Sequence, residues 1–436
     1  MITTLKNAFK IKEIRSGLIF TFIMLVIIRF GCQLPVPGVN SEQFSSWFQA
    51  QTGGAFSFFD AFTGGSFERM SVFALNITPY ITSSIIMQLL TIAIPKLEEM
   101  QKDGEDGRKK IASITRYVTI ALALIESTAM AIGFGNQGLL REYNVLNVIT
   151  VIAALTAGSA FLMWIGERIT EKGVGNGISI VLVINIISRL PDDFGKLYEQ
   201  FVKGKSIPLA VVAALVIIAI VLAMIVFVVI LNSGVRKIPV QYAKKIQGNK
   251  TVGGQMTHLP LKVNTAGVIP IIFASSLMQF PIIISTLLRY NGNGAWRQIL
   301  NGLNQDNWCN PNQMIYSIGL LVYVVLTVFF AYFYTSLTFN PLEIANNMKK
   351  QGGFIPGIRP GKPTSDYLTK VLNAIIFIGA VGLVIVAIVP FFFNGVFNAS
   401  VSFGGTSLII IVSVILETMK QIESKMLVRN YKGFLE

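Results

Sequence analysis

Apolar residues in this chain fall into ten long runs separated by polar gaps, with little period-two alternation between them. The first five runs are Gly17–Leu34, Val72–Ile94, Tyr117–Phe134, Val145–Gly166 and Gly173–Ser188. The second five are Ile207–Leu231, Val263–Leu288, Met314–Phe339, Val371–Phe393 and Val396–Leu416. About 20 helical residues at 1.5 Å each cross a hydrocarbon core of roughly 30 Å. Backbone groups must be paired within the segment in lipid, so the pattern predicts ten transmembrane helices rather than open strands. The expected fold class is therefore an all-α polytopic membrane protein.

Charge sorts with the runs. With the amino terminus placed in the cytoplasm, the outward gaps hold only 8 of the 36 Lys and Arg, and nearly all the rest face inward. This is the positive-inside bias, and it puts both termini in the cytoplasm. The fifth run has only 16 residues, and losing it would turn every later loop over. Arg236, Lys237, Lys244, Lys245, Lys250 and Lys262 would then face outward, so the bias argues that this span is real.

Composition agrees: 53% of the 436 residues are hydrophobic and 13% charged, against about 25% charged in soluble proteins. The net charge of +14 follows the membrane spacing. It reads as topology signal and as docking charge for anionic lipid or cytoplasmic partners, not as a nucleic-acid surface. Cys32 and Cys309 form neither a metal spacing nor a disulfide framework. Lys6, Lys10, Lys12 and Arg15 precede the first run with no small-residue cleavage site after it, which predicts an uncleaved first span.

Three gaps are long. Pro35 to Ser71 turns from polar to aromatic, with Phe56, Phe58, Phe59, Phe62 and Phe67, and is interrupted by Gly64 and Gly65. It is too short to span and suits a short helix packed back into the bundle, where protein surrounds it. Ile238–Lys262 and Asn340–Lys370 are basic and lack obvious internal structure, so they are expected to form a docking platform for a large soluble partner.

The chemistry of an enzyme is missing. No nucleophile–base pair, His cluster or paired carboxylate emerges, and His258 lies alone in a cytoplasmic loop. Gly173, Gly175 and Gly177 mimic part of a phosphate-binding fingerprint, but no strand precedes them. Glu126 is the one deep carboxylate; Arg29 lies near an outer end and can snorkel, and Glu417 is interfacial. Asn76, Gln88, Asn185 and Gln279 can bond weakly across helices, at roughly 0.6 kcal/mol per contact.

Several motifs, in order and in register with the ten runs, resemble the SecY family of protein-translocation channels. Pro35, Pro37 and Gly38 follow the first span, Ala74–Ile81 (ALNITPYI) opens the second, and Gly107–Lys110 (GRKK) follows it. Trp164–Ser179 (WIGERITEKGVGNGIS) joins the fourth and fifth, and His258–Pro270 (HLPLKVNTAGVIP) leads into the seventh. Pro356–Gly361 (PGIRPG) lies in the last large loop, and Gly404–Ser407 (GGTS) begins the tenth span.

The resemblance covers essentially the whole chain and implies two inverted five-helix halves, residues 1–190 and 191–436, the second carrying basic loops at 232–262 and 340–370. It implies an apolar pore ring at Ile77, Ile81, Ile178, Leu182, Ile272 and Ile410, with Leu182 where isoleucine is more usual. It implies a plug at about Ser57–Met70, in which Phe58, Phe59, Phe62 and Phe67 give apolar cover while Gly64 and Gly65 weaken the helix. A lateral gate would lie between spans two and three and spans seven and eight, with Gln88, Ser276 and Phe280 along it. Docking charges would be Arg236, Lys237, Lys250 and Arg359.

Implied partners are SecE and SecG, the SecA motor ATPase, the ribosome (with ribosomal RNA contact), signal peptides, nascent chains and membrane lipid. The location is the bacterial cytoplasmic membrane, and no cofactor, metal or catalysis is implied. A secondary transporter or ion channel, and an accessory paralogue for specialised export, remain the alternatives.

Overall fold

The computed structural model describes residues 8–50, 60, 62–242, 245–247, 250–252, 256–287, 294–309, 314–397 and 405–432. A helix lies on each of the ten apolar runs. In the first part of the chain these are α1 (Lys12–Gly31), α3 (Thr78–Ala93), α5 (Gly104–Asn136), α6 (Val145–Lys172) and α7 (Gly177–Phe201). In the second they are α8 (Ile207–Ser233), α9 (Ile269–Leu287), α11 (Ile318–Thr338), α13 (Lys362–Phe397) and α14 (Gly405–Lys432). Shorter helices fill the gaps: α2 (Ser41–Ala50), α4 (Pro95–Lys102), α10 (Ala295–Leu303) and α12 (Pro341–Lys350).

The outer faces of the bundle are apolar. On α8, Leu215, Val216, Ile218 and Leu222 are each at least half exposed, an arrangement that water would penalise and lipid accepts. The chain is a multi-pass membrane protein.

Several helix ends differ from the runs, for local reasons. Residues 72–77 make turns instead of opening α3, and Asn76 sits at φ +51 within them. Val263 donates its N–H to the Gly234 carbonyl (2.9 Å), which closes β-structure and delays α9 to Ile269. Pro95 restarts the chain as α4 at 102° to α3. The fifth span, expected to be marginal, is a helix of 25 residues that continues through Pro191 and past residue 190.

The two basic loops are not structureless. Strands β1 (Val235–Tyr242), β4 (Met256–Lys262) and β5 (Gly353–Phe354) form an antiparallel sheet in the order β4-β1-β5. A small hairpin, β2 (Lys245–Gln247) with β3 (Lys250–Val252), extends from it. Ile238 and Val240 alternate inward on β1 and join Leu261, Met348, Ile355 and Leu368 in a buried cluster. One face of the sheet is thus pinned to α12 and α13, and the other, with Lys237, Pro239, His258 and Pro260, is exposed.

Packing divides along the chain. One cluster joins Phe44, Phe67, Phe134 and Leu155, and another joins Ile28, Ile77, Leu162 and Val181, all from the first part. A third joins Val228, Ile271, Tyr323, Leu383 and Ile409 from the second. Two clusters cross between the parts: Ile14 and Val174 with Met419 and Ile422, and a central one described next.

Candidate functional site

The central cluster draws Leu182 and Ile186 from α7 and Ile410 and Val414 from α14, with Ile81 of α3 and Ile272 of α9 packed against them. Four of the six expected ring residues, from four spans, therefore meet directly. Ile77 and Ile178 belong to the adjoining cluster, which shares Ile81. The six expected ring residues all carry aliphatic side chains. Side chains of this kind offer an ion no ligand and a passing chain no hydrogen-bond partner.

From the segment that precedes α3, one described residue reaches this cluster. Phe62 packs onto it, but Phe67 does not: it lies 1% exposed in an aromatic nest with Phe44, Phe48 and Phe134, at ring-centroid distances of 5.9, 5.9 and 6.2 Å. Phe58 and Phe59 lie outside the described residues. Gly64 and Gly65 end the helical stretch. They take φ +66 and +83 and turn the chain after Thr63. A Cβ on Gly64 would stand 2.6 Å from the Asn185 carbonyl oxygen, so glycine also lets the segment lie directly on α7.

Polar groups fasten the segment. Asn76 donates to the Phe62 carbonyl (2.7 Å) and accepts from Asn185 (3.1 Å), while Ser159 donates to the Asn76 carbonyl (3.1 Å). Arg29, read from the sequence as a residue that could snorkel, instead turns inward and donates to the Asn185 Oδ1 (3.3 Å). Arg189 pairs with Asp60 and with Glu68 (2.7 Å), and the Glu68 N–H donates to Asp60 (2.9 Å). Asn76 and Asn185 were legible as cross-helix polar residues, whereas Asp60 and Arg189 carry no motif.

A side-chain hydrogen bond crosses the seam between α3 and α11. Tyr334 on α11 donates to Gln88 Oε1 on α3 (3.1 Å), beside a small apolar cavity bordered by Ile85, Leu89, Phe273 and Phe330. Ser276 and Phe280 lie on the exposed face of α9, Phe280 at 63% exposure. Tyr334 was hidden in an apolar run, with only its hydroxyl as a signal.

Arg236 and Lys237 stand exposed on β1, and Arg359 stands exposed at the tip of a turn whose Ile355 is buried. Gly357 and Gly361 hold that turn at φ +83 and +100. Among the described residues, none of these three cations has a carboxylate within ion-pair distance. Lys250 lies in β3, at the hairpin. Glu126 is half-buried on α5 and Glu417 is exposed on α14. The glycine-rich link serves packing: a Cβ on Gly177 would stand 1.9 Å from the Gly166 carbonyl oxygen.

The fold of ten spans agrees with what similarity to known proteins gives. The SecY family model matches residues 71–419. The chain belongs to the SecY family. A protein translocase subunit SecY of Halalkalibacterium halodurans is 44% identical over 444 residues, and the one from Bacillus subtilis is 43% identical over 451, each match covering all of both chains.

Solved structures give the same fold for this SecY-family chain. One, described as a protein conducting channel, has a TM-score of 0.62 at 18% identity, covering 95% of this chain and 93% of the other. Another, of Sec61 in a canine ribosome-channel complex, scores 0.59 at 16% identity over the same shares.

Proposed function

We propose that the chain is the protein-conducting channel of a bacterial cytoplasmic membrane. It passes unfolded secretory polypeptides across and releases transmembrane segments sideways into lipid. The observation that carries this reading is the aliphatic cluster built from four spans of both halves and covered by Phe62. A seal of this kind excludes ions by dewetting, and its aliphatic side chains part without breaking hydrogen bonds of their own and hold no particular sequence.

Ile77, Ile81, Ile178, Leu182, Ile272 and Ile410 form the constriction, and residues 57–70 are the plug. The gate is the seam bridged by Gln88 and Tyr334, with Ser276 and Phe280 on the lipid side of α9. A signal peptide's apolar helix entering there gains about 25 cal/mol per Å² buried. No covalent step is needed from this chain, so the work comes from partners that dock on the β1–β5 sheet and the Arg359 turn. SecA and the ribosome fit the unpaired Arg236, Lys237 and Arg359. SecE would clamp the halves, and SecG would sit at the edge.

The deciding experiment reconstitutes the chain with SecE and SecA in vesicles and follows ATP-dependent uptake of a preprotein. Uptake is expected. Absence of uptake for any presequence-bearing substrate, together with transport of a small solute, would favour a secondary transporter instead.

A further inference from the structure

The cover segment is tied to α7 at one cation. The Arg189 guanidinium pairs with Asp60, at the start of the segment, and with Glu68, near its end. The pairs join side chains 15% (Arg189), 2% (Asp60) and 20% (Glu68) exposed, so all three charges are largely removed from solvent. Arg189 also lies over Gly65, where an added Cβ would stand 3.7 Å from its guanidinium carbon. Other charges facing it are Asp192 and Asp193 on its own helix and Arg29 on α1.

We propose that Arg189 is the positioning residue that latches the resting plug, and that plug release proceeds by exchange of its carboxylate partners. The inference rests on the plug reading given above. Asp192 stands 3.8 Å from Arg189, on the next turn of α7 and 62% exposed. When the segment leaves, Asp192 remains as the partner of the cation, while Asp60 and Glu68 pass into water. Neither side then keeps a buried, uncompensated charge. A buried ion pair holds geometry firmly but stores little net energy, because hydration offsets its separation. That combination suits a cover that must seat in one place and still be displaced.

Cys32 provides a reporter. It is 2% exposed at the end of α1, with Ser66 and Arg69 of the segment alongside, and Cys309 is the chain's other cysteine. In a Cys309→Ser background, the full chain reconstituted as above is probed with a membrane-impermeant maleimide and by bilayer conductance. Arg189→Gln is expected to raise both Cys32 labelling and resting conductance by about tenfold, because it leaves two buried carboxylates unpaired. Arg189→Lys, which keeps the cation but not the forked guanidinium, should fall between Gln and wild type.

Deletion of residues 57–70 tests the plug reading separately. If the deletion opens the channel while Arg189→Gln leaves labelling and conductance at wild-type values, the latch is overturned and the plug reading survives. If the deletion itself changes nothing, the plug reading fails. Loss of preprotein uptake in both Arg189→Gln and Arg189→Lys would overturn the latch in favour of a purely structural role for Arg189.

Discussion

At the residue scale, small geometric facts decide what each position tolerates. Ile77 is fully buried and Ile272 only half-buried, so a polar group at Ile272 disturbs the seal with less risk to folding. Ile272→Asn should raise single-channel ion leak and let preproteins with weakened signal sequences pass. Unchanged conductance and unchanged stringency would count against the ring. Gly177→Ala drives a methyl group into the Gly166 carbonyl and leaves α6 and α7 no room at their crossing. The expected cost is about 1–3 kcal/mol, read as a lower midpoint in thermal denaturation of the purified protein. A midpoint equal to wild type would show that the crossing relaxes freely.

At the element scale, the sheet and the seam carry separate tasks. The sheet β4-β1-β5 is anchored through Ile238, Val240 and Ile355, which leaves Arg236, Lys237 and Arg359 exposed and, among the described residues, without a carboxylate at ion-pair distance. Arg359→Glu should therefore reduce motor-driven uptake strongly while the protein inserts and folds normally, since an exposed charge contributes at most about 1 kcal/mol to stability. Wild-type uptake rates in that variant would remove Arg359 from the docking face. The seam contact predicts a complementary experiment. Cysteines replacing Gln88 and Tyr334, whose side chains touch only at their far ends, should be joined by a cleavable bifunctional thiol reagent rather than by a direct disulfide, block uptake, and recover when the reagent is cleaved. Cross-linked protein that still takes up a preprotein with a long apolar signal helix would place the exit elsewhere.

At the scale of the whole molecule, ten spans, their order and the position of the basic loops could be read before any contact was known. Hydropathy and charge act through the bilayer, a solvent that imposes its terms on each segment separately. Individual residues such as Asn76 and Asn185 were also visible, because a carboxamide in an apolar run has few other reasons to be there. The sheet was not read, because two loops far apart in sequence supply its strands and the alternation in β1 is short. The inward turn of Arg29, the seating of Phe67 in an aromatic nest and the Gln88–Tyr334 contact were likewise decided by tertiary structure. The same holds for Arg189, which pairs with Asp60 and Glu68 across more than a hundred residues of chain. The sequence by itself determined what lies in the membrane, since transfer into lipid depends on local composition. Which side chains meet at the centre depended on how α3, α7, α9 and α14 cross, and no periodicity within one helix contains that information.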